Sequence, residues 1–88
     1  PLEPKLYQSY PNPFNPSTTV SYDVPREELV SLKVYDALGR EVAVLVNELE
    51  SAGKHSCVFN ASHLPSGVYY CRLQAGSFVE TKKLVLLK

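Results

Sequence analysis

The chain has 88 residues, 44% of them hydrophobic, with nine Lys/Arg, nine Asp/Glu and a formal net charge of +0. That length holds one domain with one modest core, and the charge balance offers no electrostatic footprint for nucleic acid or an anionic membrane. No apolar run reaches the roughly 20 residues of a membrane-spanning helix.

The N-terminal Pro1-Leu2-Glu3-Pro4-Lys5 lacks a basic-then-apolar export leader, and the chain contains no Met. It reads as the trimmed end of a longer precursor. Residues 1–17 are a Pro-rich opening, with Tyr10-Pro11-Asn12-Pro13-Phe14-Asn15-Pro16 at its centre. Alternate prolines fix φ and push their predecessors into extended geometry. The segment is expected either to run as a stiff polyproline-like arm, pinned by Tyr10 and Phe14, or to act as a rigid interdomain linker.

Residues 18–88 carry strand chemistry. Thr18 to Val24 alternates and stops at Pro25; Leu29 to Asp36 sets Val30, Leu32 and Val34 on one face. Ala37-Leu38-Gly39-Arg40 reads as a tight turn with Gly39 at positive φ, and Glu41 to Val46 returns as a hairpin partner. Its alternation slips at Ala43-Val44-Leu45, which fits a bulge or burial on both faces. Glu41 to Glu50 is the best helical candidate, but its Val-rich composition favours a strand. His55 to Asn60, Val68 to Gln74 and Phe78 to Leu87 follow, separated by Gly- and Pro-containing turns. Short strands at this spacing, most with one apolar and one polar face, predict an all-β antiparallel sandwich.

Catalytic and metal patterns are weak. No Gly-x-Ser-x-Gly elbow or His-Glu-x-x-His helix occurs. Cys57, Cys71, His55 and His63 lack the tight pairwise spacing of a zinc site, and Asp23 and Asp36 are the only aspartates available to a calcium loop. No cofactor is expected. Asn60-Ala61-Ser62 matches a glycosylation sequon without further support.

The motifs Tyr10-Pro11-Asn12-Pro13-Phe14-Asn15-Pro16-Ser17-Thr18-Thr19, Val34-Tyr35-Asp36-Ala37-Leu38-Gly39-Arg40-Glu41-Val42 and Ala52-Gly53-Lys54-His55 appear in order. Phe59-Asn60-Ala61-Ser62, then Ser66-Gly67-Val68-Tyr69 with Arg72, and finally Thr81-Lys82-Lys83-Leu84-Val85-Leu86-Leu87-Lys88 complete the set. The ordered series resembles type A C-terminal sorting domains of the type IX secretion system, and its middle motifs also resemble the immunoglobulin-like domain of flagellar hook-capping proteins. The resemblance implies a seven-stranded immunoglobulin-like sandwich appended to an exported cargo. It also implies outer-membrane secretion machinery and a sortase-like peptidase as partners, with the cargo passing through the periplasm to be secreted or held at the cell surface.

By strand parity Cys57 and Cys71 point inward, and in an immunoglobulin-like order their strands lie in opposite sheets. A disulfide is the favoured expectation, against two buried free thiols behaving as small hydrophobes. Closing a loop of that size is worth about 3 kcal/mol in the chain-entropy picture, so reduction should lower thermal stability. Tyr69, two residues before Cys71, is either the tyrosine of a tyrosine corner or a plain core residue.

The last segment, Lys82-Lys83-Leu84-Val85-Leu86-Leu87-Lys88, is apolar on both faces and bracketed by lysines. Two readings follow. A receptor recognises a sticky edge by adding a strand or groove to it, or a neighbouring strand and the Pro-rich arm cover both faces. The leading function is a non-catalytic sorting signal; the rival is a structural module that self-associates or adheres through the same edge and arm. A carbohydrate-binding sandwich would need an exposed aromatic platform that the pattern does not supply.

Overall fold

Each predicted alternation becomes a strand in the computed structural model, which describes residues 2–88. The elements are β1 (Lys5–Leu6), β2 (Ser17–Val24), β3 (Glu28–Asp36), β4 (Glu41–Glu50), β5 (Gly53–Asn60), β6 (Gly67–Ala75) and β7 (Phe78–Leu86). All pair antiparallel, in a three-stranded sheet of order β1-β2-β5 and a four-stranded sheet of order β4-β3-β6-β7. The result is the expected immunoglobulin-like sandwich. Its core takes alternate residues from both sheets: Val20, Tyr22 and Val24 from β2, Val30, Leu32 and Val34 from β3, Cys71 and Leu73 from β6, Leu84 and Leu86 from β7.

β4 extends over all ten residues of Glu41–Glu50 as a strand. Register shifts opposite Leu32/Lys33 and Val34/Tyr35 leave Leu45 and Val42 as extra residues. These bulges are the origin of the slipped alternation. They sit on the outer strand of the larger sheet, where an irregular ladder discourages further pairing.

The β3–β4 turn is organised by one carboxylate. Leu38 and Arg40 N–H groups both donate to Asp36 Oδ1 at 2.9 Å, and Arg40 Nε meets Oδ2 at 2.8 Å. These donors, the Arg40 backbone N–H first, hold the Asp36 carboxyl below its usual range. Gly39 takes the predicted positive φ, 84°, which a side chain would strain.

The Pro-rich opening departs from a polyproline helix. It runs as a series of bends with cis peptides at Tyr10-Pro11, Asn12-Pro13 and Asn15-Pro16. Leu6 and Phe14 are both in the core, and Phe14 packs against Phe59 with ring centroids 6.0 Å apart. Tyr10 does not pin the arm with its ring, which is 82% exposed; its backbone does so, through a two-bond bridge to Thr19. Upstream, Lys5 and Lys54 flank the Tyr7 ring at 4.7 and 5.5 Å, and the Leu6 N–H donates to Glu80 Oε1 at 2.9 Å. That last bond ties β1 to β7 and closes one side of the sandwich.

Candidate functional site

The final strand divides its side chains by parity. Leu84 and Leu86 are fully buried, Val85 is half-buried, and Lys83, Leu87 and Lys88 are exposed. Lys82 points to the inner side at the rim, 3.4 Å from Glu80. The two-sided apolarity therefore has a specific resolution: one face is core, and the other is surface.

The edge of β7 is covered by the arm. Pro11 and Pro13 have no N–H to give a ladder, so pairing passes to the residues between and after them. The Asn12 carboxamide imitates a peptide, its Nδ2 donating to the Lys83 carbonyl and its Oδ1 accepting from the Val85 N–H, both at 2.9 Å. Next, the Phe14 N–H donates to the Val85 carbonyl at 2.9 Å, and the Leu87 N–H donates to the Phe14 carbonyl at 3.0 Å. Gln8 Nε2 also reaches the Lys83 carbonyl at 3.3 Å. Thus, of the two readings of this edge, coverage by the Pro-rich arm is the one seen, and a bare edge open to a partner strand is not: from Lys83 to Leu87 the ladder is occupied by the chain's own opening segment. Asn12 was visible in the motif, but its role was not, because a side chain standing in for a backbone leaves no periodic signal.

Lys88 is anchored as well. Its N–H donates to Ser66 Oγ at 3.0 Å and its Nζ to the Ser62 carbonyl at 2.7 Å. The same loop receives the Tyr69 hydroxyl, which donates to the Pro65 carbonyl at 2.6 Å. Tyr69 is therefore a tyrosine corner in the immunoglobulin manner. Gly67, which opens β6 with φ 155°, leads the chain from this loop into the strand, and Val68 follows, half-buried. Asn60 Oδ1 accepts from the Ser62 N–H at 2.9 Å, so the sequon asparagine shapes the same loop.

Arg72 has a different setting. It projects from the outer face of the four-stranded sheet, beside the cross-strand pair Tyr35–Tyr70 and opposite Thr81. These residues line a cleft of 370 Å³ with the β3–β4 turn. Strand parity places two tyrosines on one outward row here.

The expected disulfide is absent. Cys57 and Cys71 are free thiols, Cys57 half-buried and Cys71 buried. Both do point inward from opposite sheets, but β5 is the outer strand of its sheet, on the side away from β1. With β1 against β7, the order sets β2 rather than β5 across from β6. Burial pushes the Cys71 thiol up to about 12, and burial followed by the Glu50 charge raises that of Cys57. Reductant is thus expected to leave the melting temperature unchanged. In the native state Cys71 should resist a thiol reagent until the domain unfolds, and labelling kinetics followed by mass spectrometry check this.

The remaining titratable groups hold strands together. Asp23 is buried and accepts from the Tyr7 hydroxyl, with Lys54 Nζ at 3.5 Å. Tyr22 donates to Glu50, while His55 stacks on the Tyr22 ring at 5.4 Å and its Nε2 lies 2.8 Å from the Ser51 carbonyl. Burial first, then the Glu50 carboxylate, raises the Tyr22 hydroxyl well above its ordinary range, so it stays a donor. Among the described residues no three His, Cys, Asp or Glu side chains gather into a metal-holding group.

Comparison with known proteins gives one family. No curated protein matches the chain. The profile of the secretion system C-terminal sorting domain matches residues 8–87, from the arm that covers β7 to β7 itself. With that match spanning nearly the whole sandwich, the chain belongs to the secretion system C-terminal sorting domain family, whose members address an exported precursor to its secretion machinery.

Proposed function

We propose that the outward side chains at the end of β7, namely Lys83, Val85 and Leu87 with Lys88, are what the type IX outer-membrane machinery reads, and that the domain itself does no chemistry. The observation that carries this is the parity of the last strand. Leu84 and Leu86 are spent on the core, while their neighbours stand on the surface at no cost to folding. The cargo lies upstream in the precursor, passes through the periplasm and across the outer membrane, and is parted from this domain by a sortase-like peptidase before it is released or held at the cell surface. Self-association through β7 and the arm is less favoured, because the arm already fills that edge within one chain.

The test is a reporter carrying these 88 residues in a bacterium with the type IX system. Deleting residues 82–88 is uninformative, since it removes Leu84 and Leu86 from the core. The surface pair Leu87→Asp and Lys83→Glu should instead abolish export while the domain keeps its melting temperature. Normal export of that folded double variant would exclude the reading.

A further inference from the structure

The outer face of the four-stranded sheet carries a set of side chains that the core does not use. Cross-strand register sets Tyr35 beside Tyr70 and Tyr70 beside Lys83. The next row sets Lys33 beside Arg72 and Arg72 beside Thr81. These are direct partners, so the two rows form one continuous patch. Tyr70, Arg72, Thr81 and Lys83 are exposed, and Tyr35 and Lys33 half-buried. The cleft of 370 Å³ that Tyr35, Tyr70, Arg72 and Thr81 line with the β3–β4 turn lies within it.

The charges of the patch are unbalanced. Like charges directly opposite each other, as Lys33 and Arg72 are, work against a sheet. Lys33 is relieved by Glu41 at 3.2 Å, and Asp36 is occupied by Arg40 at 2.8 Å. Among the described residues no ion pair engages Arg72 or Lys83, so two positive charges stay open around Tyr70 on a chain of formal net charge +0. The tyrosines are equally unspent. Tyr7, Tyr22 and Tyr69 give their hydroxyls to Asp23, Glu50 and Pro65, whereas those of Tyr35 and Tyr70 have no hydrogen-bond partner among the described residues.

We infer that this patch binds an acidic saccharide, a pyranose bearing a carboxylate or a phosphate. An aromatic ring has a negative face on which the C–H side of a sugar settles, and the Arg72 fork matches an oxyanion at two points. Lys83 adds a second charge, while Thr81 and the two tyrosine hydroxyls supply partners for sugar hydroxyls. A peptide gains less, because β3 and β6 are interior strands whose backbone groups are already paired. A nucleic acid asks for a longer run of cations. The sequence pattern supplies no aromatic platform; the sheet order builds a small one by placing β3 against β6.

The test passes the 88-residue chain over biolayer sensors bearing polygalacturonate, a phosphorylated mannan or neutral dextran. Binding to at least one acidic polymer, weakened by salt and absent on dextran, is expected, and the polymer that binds tells carboxylate from phosphate. Arg72→Ala and Tyr70→Ala should each raise Kd about tenfold or more while the melting temperature holds, since both side chains are exposed. Tyr10→Ala, bridged to the other sheet, should leave Kd unchanged. Should Tyr70→Ala lose stability, Arg72→Ala decides by itself. Binding to neither acidic polymer, equal binding to dextran, or acidic binding that survives Arg72→Ala overturns the site. An unchanged Kd in folded Tyr70→Ala overturns the saccharide, as does binding to single-stranded DNA alone. Lys83, shared with the surface proposed for export, is left unaltered, so failure here and failure of the sorting reading remain distinct.

Discussion

Phe14→Ala is expected to lower the unfolding free energy by about 3–5 kcal/mol, the usual cost of emptying a buried phenylalanine site. Phe14 is in the core cluster, packs on Phe59, and its backbone holds two bonds to β7. Truncation removes the ring and leaves a space bounded by Phe59 and the β-strands, which a rigid sandwich closes only in part. For a domain whose total stability lies somewhere in the 5–15 kcal/mol range, that loss is a large share. Urea unfolding of the purified chain measures it. A change within about 0.5 kcal/mol would instead mean that the Pro-rich stretch around Phe14 adds nothing to the core and acts there as a linker. Hydrogen exchange offers a second readout, since the N–H groups of Val85 and Leu87 are protected only while Asn12 and Phe14 sit on them.

Leu86→Ala should cost about 2–5 kcal/mol, whereas Leu87→Ala, one residue on, should stay within about 0.5 kcal/mol. The contrast follows from burial alone: Leu86 is fully enclosed between the sheets and is the bridge partner of Phe14, while Leu87 faces out. It matters for function because the two residues would fail export for different reasons. Leu86→Ala would do so only by unfolding, visible as a fallen melting temperature, and Leu87 variants only through lost contact with stability intact. Similar stability losses at the two positions would mean that the last strand has no defined inward face.

Much of the fold was legible because strand periodicity is local. Val30, Leu32 and Val34 announce β3 by themselves, and Gly39 announces the turn after it, though not the part Asp36 plays in organising that turn. The bulges of β4 were visible as a slip in alternation, since an extra residue inverts every side chain beyond it. Tyr69 was legible through its spacing to Cys71, a pattern that belongs to immunoglobulin-like sandwiches. By contrast, the cysteine pairing was misread. Inward parity and opposite sheets are properties of each strand, but whether two strands face each other depends on the order of the whole sheet. That order puts β5 at the outside.

The sticky end shows the same division most clearly. From the sequence by itself came the β-class, the strands, the inward residues of each and the two-sided apolarity of residues 82–88, all consequences of backbone period and side-chain polarity. Only the tertiary structure decided which face of that segment is core and what covers its edge. The decision lies in contacts more than 70 positions apart in sequence, Asn12 with Lys83 and Val85 among them, made by an amide side chain between two prolines that cannot donate. The arm as a cover was one of two readings open from the sequence; the choice between them, and the part played by Asn12, follow from where the sheets bring the two ends of the chain, which no local pattern encodes.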